Sequence, residues 1–242
     1  MNTKQLTEKL VSWIRERTLA AGCKGVVLGM SGGLDSSALA ALCQRAFPQN
    51  TLGAIMPCYS SQEDKTHAQV VATKFSILTT EIVLDDIFTA LRQILPDYKS
   101  SPTASQTAQA NLKARLRMLT LYYIANQLQY MVAGSGNKSE LSIGYFTKYG
   151  DGGIDILPLG NLVKGQVIDL ARHLDIPREI IDKPPSAGLW EGQTDEAEMG
   201  ISYDELDHYL LTGESSDEPR KKIEAMIAAN AHKRSLPPIP GL

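Results

Sequence analysis

Short apolar runs alternate with longer amphipathic stretches along most of the chain. The runs predict five strands because each is brief, mainly apolar and bounded by glycine or polar residues: 25–30, 51–57, 80–84, 130–134 and 155–159. Strands that alternate with helices predict a mostly parallel sheet with helices on both faces. Because no internal repeat or break in composition divides the chain, we expect one doubly wound α/β domain over residues 1–242.

Helices are predicted between and after these strands. The longest is expected at 106–129, with an apolar stripe formed by Leu112, Leu116, Leu119 and Tyr123. The others are expected near the N-terminus and at 38–47, 63–75, 87–95, 163–174, 202–212 and 219–234.

The charge balance and the cysteines exclude several classes of protein. The 242 residues include 24 Lys and Arg against 27 Asp and Glu, so no net positive charge attracts a phosphate backbone, and nucleic acid is not an expected partner. No stretch predicts a signal peptide or a membrane span. Cys23, Cys43 and Cys58 are scattered, which is typical of free thiols in a reducing compartment. We therefore expect a cytoplasmic protein without a membrane partner.

A glycine-rich loop, 29–36 (GMSGGLDS), follows the first predicted strand and opens a helix. In a doubly wound sheet, ligands bind beyond the carboxyl ends of the strands. Gly32 and Gly33 allow backbone N–H groups to face a ligand, and the helix N-terminus adds partial positive charge. Because Ser31 and Ser36 add hydroxyl donors, the loop predicts an anion site; a glycine turn with serine caps is the purely structural alternative.

Asp35 makes the loop more specific. A carboxylate beside a phosphate repels it unless a divalent cation lies between the two, so Asp35 predicts a polyphosphate with bound Mg²⁺. The loop is neither a Walker A sequence nor the GxGxxG fingerprint of dinucleotide-binding folds.

The SGGLDS segment resembles the pyrophosphate loop of the ATP pyrophosphatases, which cleave ATP to AMP and pyrophosphate by adenylating an acceptor. From the loop alone, the acceptor could be a nicotinate, a purine, an amino acid or a tRNA base. Further blocks resemble ammonia-dependent NAD synthetase, in the family's order across about residues 5 to 236: NLKARLRM (111–118), GSGNKSE (134–140), GYFTKYGDG (144–152), DILPL (155–159), KPPS (183–186), GQTDE (192–196) and HKR (232–234).

The resemblance implies an adenine-nucleotide alpha-hydrolase-like fold, a homodimer and a reaction in two steps. ATP adenylates the nicotinate carboxylate of deamido-NAD, and free ammonia then displaces AMP to give NAD. Adenylation is needed because a bare carboxylate is a poor acyl electrophile. A glutamine-dependent enzyme needs a second catalytic unit with a nucleophilic cysteine, which the chain does not resemble, so we expect no glutaminase domain.

The resemblance also implies roles for individual residues. Asp35 and Ser31 are the expected catalytic residues, and Asp35 and Glu140 the expected ligands of Mg²⁺. Ser135 and Ser186 stand where the family usually has threonine. The ATP-binding set is Gly29, Met30, Ser31, Gly32, Gly33, Leu34, Asp35, Ser36, Ser135, Lys164 and Ser186. The deamido-NAD set is Arg115, Lys148, Asp155, His232 and Lys233.

Structural roles compete with several of these assignments. Glu140 alone would be a charge near a helix end, and Arg115 a solvated residue or a subunit contact. The basic group His232–Arg234 would be favourable charge at a helix C-terminus. Lys164 is predicted in the first turn of a helix, where the dipole disfavours a cation, and that position favours a functional role.

The segment 183–196 combines two prolines and two glycines with a lysine, a tryptophan and carboxylates. A long irregular loop inside a compact domain is often a lid, and we expect this one to exclude water from the acyl-adenylate. Two other functions fit part of the pattern. One is another adenylating enzyme of the superfamily, tRNA-modifying or GMP-forming, and the other is a nucleotide-binding module without catalysis.

Overall fold

The computed structural model describes the chain except residues 1, 97, 100, 187, 189, 191 and 242. Strands alternate with helices in the first half, and helices follow in the second. In chain order the elements are α1 (Thr3–Ala20), β1 (Gly25–Gly29), α2 (Leu34–Ala46), β2 (Thr51–Ile55), α3 (Gln62–Lys74), β3 (Leu78–Glu81), α4 (Asp85–Ile94), α5 (Pro102–Leu128), β4 (Tyr130–Ala133), α6 (Lys138–Ile143), α7 (Lys164–His173), α8 (Arg178–Ile181), α9 (Asp195–Met199), α10 (Tyr203–Thr212), α11 (Asp217–Ala229) and a 3₁₀ turn at Ala231–Lys233.

The described strands form one parallel sheet in the order β3-β2-β1-β4. The central strand β1 pairs with β2 from Val26 opposite Thr51, and with β4 from Gly25 opposite Tyr130. Its sequence GVVLG is almost continuously apolar because helices cover both faces. Strand order reverses on the two sides of β1, so the crevice beyond the carboxyl ends of β1 and β4 is the expected ligand position.

Helices cover both faces of the sheet, as the sequence predicted. On one face α1, α2 and α7 contribute Ile14, Leu42 and Leu170 to a shared core; on the other, α4 and α5 contribute Phe88 and Leu116. A third apolar cluster joins α6, α10 and α11. It fixes the C-terminal helices beside the carboxyl ends of the strands, where α6 begins.

The predicted fifth strand at 155–159 is absent as a strand. Only Ile156 makes a parallel bridge, to Ala133 of β4. Pro158 has no N–H for a ladder, and the Gly160 N–H donates to the Leu157 carbonyl at 3.1 Å, so the chain turns there. The third strand is also shifted, from 80–84 to Leu78–Glu81.

The long helix α5 differs from its prediction in two ways. It begins earlier, at Pro102, after Ser101 caps its first turn by accepting from the Ala104 N–H. Its apolar stripe is only partly buried, because Leu119 and Tyr123 are 63% and 65% exposed. The buried residues of the helix are Ala110, Lys113, Ala114, Leu116, Leu121 and Ala125, and only Leu116 of these belongs to the predicted stripe. Leu116, Leu121 and Ala125 pack in one cluster with residues of β1 and β4. None of the described helices is long and apolar enough to cross a membrane.

Candidate functional site

The glycine-rich loop connects β1 to α2 at the switch point of the sheet. Gly32 adopts φ +79°, and a Cβ on it would lie 2.1 Å from the backbone oxygen of Asp64. Both the left-handed backbone and the close approach therefore require glycine. Gly33 is the residue before α2 and has an extended backbone, φ −85°. The loop is held against the start of α3, which carries Asp64.

Serine hydroxyls tie the loop together. Ser31 Oγ lies 2.9 Å from Ser36 Oγ and accepts from the Gly33 N–H at 3.3 Å. Ser36 and Ser37 both donate to the Gly33 carbonyl, at 3.0 and 2.7 Å. The structural role of a serine-capped glycine turn is thus present, while Ser31 remains exposed at the surface of the loop.

Two residues of the predicted ATP set, Met30 and Leu34, have buried side chains. Met30 packs over β2, where its sulfur would lie 2.3 Å from a Cβ on Gly53. These two residues can therefore offer a ligand only backbone groups, unlike the exposed Ser31.

Asp35, in the first turn of α2, meets side chains from two distant segments. Lys164 Nζ donates to Asp35 Oδ2, and Asn137 Nδ2 donates to Asp35 Oδ1 at 3.1 Å. The Lys164 side chain is only 4% exposed. Burial by itself lowers the pKa of Lys164, but the carboxylates of Asp35 and Glu140 outweigh it and raise that pKa to about 12. Lys164 is therefore a firmly charged, buried cation.

Glu140 lies beside this pair in the first turn of α6. Asn137 caps that helix by accepting from the Glu140 N–H at 3.0 Å, and Glu140 Oε2 accepts from the Asn137 N–H at 3.1 Å. Asn137 therefore bridges Glu140 and Asp35. Burial, and then the neighbouring Asp35 carboxylate, raise the pKa of Glu140. Glu140 is therefore more than a charge at a helix end, since Asn137 connects it to a second carboxylate.

Two adjacent carboxylates fit a divalent cation such as Mg²⁺, whose charge would reverse the cost of placing them together. No group of three or more His, Cys, Asp or Glu side chains in the described part of the chain could hold a metal. Oxygen ligands beyond Asp35 and Glu140 would therefore come from substrate phosphates and water, which Mg²⁺ commonly keeps.

Four of the five residues predicted for the second substrate form one connected group. The Arg115 guanidinium donates to the Lys148 carbonyl, with both N···O distances 3.3 Å. Lys148 Nζ donates to the His232 carbonyl at 2.6 Å. Lys233 Nζ donates to backbone carbonyls at 144 and 146, at 2.7 and 3.0 Å. Tertiary contacts thus bring together cations from α5, the segment after α6 and the 3₁₀ turn.

The fifth residue, Asp155, has different contacts. One oxygen accepts from the Tyr122 hydroxyl at 2.9 Å and the other from the Val132 N–H at 2.8 Å. Burial, together with the hydrogen bond to Asp155, raises the pKa of Tyr122. Asp155 therefore anchors its own segment to β4 and α5, which the sequence did not indicate.

The two serines that replace threonine lie in different settings. Ser135 follows β4 and is partly buried at the same edge of the sheet as the glycine-rich loop. Ser186 is exposed and accepts from the Gly188 N–H at 3.1 Å.

The expected lid, 183–196, touches the glycine-rich loop through α3. Residues 187, 189 and 191 of it lie outside the described part of the chain. Lys183 Nζ forms ion pairs with Asp64 at 2.7 Å and Glu63 at 2.9 Å. A Cβ on Gly188 would lie 3.4 Å from Asp64 Oδ2. Since the Asp64 carbonyl contacts Gly32, the lid and the glycine-rich loop both contact the start of α3.

The far end of the lid supplies a buried carboxylate that the sequence did not single out. Asp195 accepts from the hydroxyls of Tyr203 at 2.9 Å and Tyr145 at 3.2 Å, and burial raises its pKa. Lys164 Nζ lies 5.2 Å from the centre of the Tyr203 ring. The sequence signal for Asp195 was its place in GQTDE.

Trp190 lines a separate cavity of about 430 Å³ with Tyr59, Phe88 and Lys113.

The parallel sheet, the loop at its switch point and the paired carboxylates define an α/β enzyme of the nucleotide-binding class. Comparison with known proteins makes the assignment specific. The NAD synthase family model matches residues 6–237, and the chain belongs to that family. The curated relatives are named NH(3)-dependent NAD(+) synthetases, so the chain is a ligase of this family rather than a tRNA-modifying or GMP-forming enzyme or a module without catalysis.

Individual relatives agree with the family. The NH(3)-dependent NAD(+) synthetase of Carboxydothermus hydrogenoformans is 49% identical over 100% of this chain and 99% of its own length. Among solved structures, an NMN synthetase from Francisella tularensis is 36% identical, with a TM-score of 0.93 and 100% of both chains covered. The NH3-dependent NAD synthetase of Campylobacter jejuni is 28% identical, with a TM-score of 0.81 and 100% of both chains covered.

The contact at Gly32 predicts a sharp difference between neighbouring glycines. Gly32→Ala places a Cβ against the Asp64 carbonyl in a left-handed backbone, so we expect a lower melting temperature and loss of ATP binding. Gly33→Ala meets only Ser31 Oγ at 3.4 Å, an ordinary contact, and is the matched control for folding. Equal melting temperatures for the two variants would contradict this account.

Proposed function

We propose that the chain amidates deamido-NAD, nicotinate adenine dinucleotide, with ATP and free ammonia. The nicotinate carboxylate attacks the α-phosphorus of ATP and expels pyrophosphate, and ammonia then attacks the acyl-adenylate carbonyl and releases AMP. Membership in the NAD synthase family supports NAD formation from ammonia and ATP. The observation that carries the proposal is the meeting of Asp35, Asn137, Glu140 and Lys164 beside the glycine-rich loop.

The protein's part in adenylation is positioning and charge neutralisation. Backbone N–H groups of the loop and the N-terminus of α2 suit the phosphates that leave as pyrophosphate. Mg²⁺, when held by Asp35 and Glu140, would neutralise phosphate oxygens. The Lys164 ammonium has three N–H donors, so a phosphate oxygen can accept from it while Asp35 remains nearby.

The connected cations form the proposed site for deamido-NAD, whose phosphates and carboxylate need positive partners. Lys148 uses its ammonium on the His232 carbonyl, and Arg115 is exposed beside it. Burial lowers the pKa of the Lys233 ammonium, and the Asp151 carboxylate opposes that shift.

An alternative to deamido-NAD, nicotinate mononucleotide, is supported by the structural comparison. The solved chain from Francisella tularensis, with a TM-score of 0.93, is an NMN synthetase. The corresponding candidate reaction amidates the nicotinate mononucleotide, with the same adenylation and the same ammonia attack. The dinucleotide is the first choice because the curated relatives at 40–49% identity are NAD synthetases.

We also propose one domain, free ammonia as nitrogen donor, a homodimer and a cytoplasmic location. The nitrogen donor is supported by the full-length NH(3)-dependent relatives. The dimer is supported by exposed Leu119 and Tyr123 on α5, large side chains that a second copy would cover. The location is supported by three unpaired cysteines.

The direct test mixes the protein with ATP, magnesium, an ammonium salt and deamido-NAD. A parallel assay replaces deamido-NAD with nicotinate mononucleotide. We expect NAD and AMP in equal amounts from the dinucleotide, at a higher kcat/KM than NMN from the mononucleotide. The opposite preference would identify nicotinate mononucleotide as the substrate. If neither substrate gives an amide product, the proposed function is overturned.

Asp35 provides the first site test. Asp35→Asn keeps the size and an acceptor for Lys164 but removes the charge, so we expect turnover to fall by about a hundredfold or more because Mg²⁺ loses a ligand. Asn is preferable to Ala, which would leave the buried Lys164 without a partner. Asp169→Asn, whose carboxylate is 67% exposed in an ion pair with Arg172, is the control. Unchanged turnover in Asp35→Asn would refute the role.

The lid provides the second site test. Lys183→Gln removes the ion pairs to α3, so we expect more AMP per NAD formed, since water then reaches the acyl-adenylate. The control is Lys65→Gln, which removes an ion pair from the same helix, to Glu81. A ratio of AMP to NAD that stays at one in Lys183→Gln would count against a lid.

A further inference from the structure

Asp207 is a buried carboxylate that neither the motifs nor the proposed reaction uses. It lies on α10, and its side chain contacts the first residues of α7. Oδ2 accepts from the Gly165 N–H at 2.7 Å, and Oδ1 accepts from the Lys164 N–H at 3.3 Å. Oδ1 also accepts from the Ser139 hydroxyl at 2.5 Å. One side chain therefore joins α6, α7 and α10.

The start of α7 needs such a partner. The residue before it, Val163, has no side-chain acceptor for the free N–H groups of the first turn. The helix also begins with Lys164, a buried cation at the end where the dipole is positive. The Asp207 carboxylate supplies both missing elements, acceptors for the N–H groups and a negative charge.

The same contact reaches the second half of the site through Ser139. The Ser139 hydroxyl is fully buried, donates to Asp207 and accepts from the Lys164 N–H at 3.1 Å. The next residue along α6 is Glu140, which Asn137 connects to Asp35 through hydrogen bonds. Asp207 and Ser139 thus set the separation between the helix that carries Lys164 and the helix that carries Glu140.

We propose that Asp207 is a positioning residue: through Ser139 and the first turn of α7 it holds Lys164 and Glu140 in register around Asp35, and so sets the affinity for magnesium-bound ATP. This inference rests on the proposed function, because it takes the phosphate-binding role of Lys164 and the magnesium role of Glu140 from it. Asp207 touches neither ligand in this account and acts through the backbone of the residues it caps.

A purely structural cap has different consequences. It would lower the stability of the fold and the amount of active protein, while each folded molecule would bind ATP normally. A positioning residue changes the affinity of the folded molecules. In Asp207→Asn the amide keeps one acceptor oxygen but presents an NH₂ donor in place of the other, and the negative charge at α7 is lost.

The experiment measures binding of a non-hydrolysable ATP analogue with magnesium by calorimetry, alongside melting temperature, kcat and the KM for ATP. For Asp207→Asn we expect the analogue to bind about tenfold more weakly or worse and the KM for ATP to rise in parallel, with a smaller loss in Ser139→Ala. Asp204→Asn, an exposed change on the same helix, is the control and should match the unmodified protein. Unchanged affinity with a lower melting temperature would overturn the proposal.

A double-mutant cycle makes the test specific to Lys164. If Asp207 acts through Lys164 and its helix, Asp207→Asn should cost much less affinity in a Lys164→Ala background than in the unmodified protein. Equal losses in both backgrounds would overturn this route. The binding readout is separate from turnover: if the unmodified protein forms no amide product, the proposed function fails, while the dependence of analogue affinity on Asp207 is still measured.

Discussion

The site depends on a buried cation held among carboxylates. Lys164 is almost completely removed from water, and a charge in that position is tolerable only if it is paired and hydrogen-bonded. Asp35 supplies the pairing, with Glu140 and Asp195 adding negative charge nearby. Because these groups belong to α2, α6, α7 and α9, the ion cluster requires four helices to meet at one edge of the sheet.

The parallel sheet makes that meeting possible. Strands β2 and β4 lie on opposite sides of β1, so the loops after β1 and β4 open into one crevice. The loop after β1 brings Asp35, and the loop after β4 brings Asn137 and Glu140. Asn137 forms hydrogen bonds with both carboxylates. The C-terminal helices complete the arrangement, because their apolar cluster fixes α10 beside α6 and the Asp207 side chain on α10 then reaches the start of α7.

Local signals in the sequence were reliable where the chemistry itself is local. The glycine-rich loop could be located because the backbone requires glycine at Gly32, within a few residues of Asp35. Strand and helix patterns located most elements but failed where tertiary packing decides. The segment at 155–159 forms only a bridge, and Leu119 and Tyr123 of the predicted apolar stripe of α5 are exposed at the surface.

The sequence by itself determined the alternation of strands and helices, the place of the glycine-rich loop and the family. It also predicted an anion site at that loop and a divalent cation beside Asp35. Only the tertiary structure decided which groups meet: Lys164 with Asp35, 129 positions apart, Asp207 with the first turn of α7, and Lys183 with Asp64. The physical reason is that a loop or helix cap is specified by neighbours along the chain. The pairing of a buried charge is specified by whichever distant side chain the packed helices bring within hydrogen-bond distance.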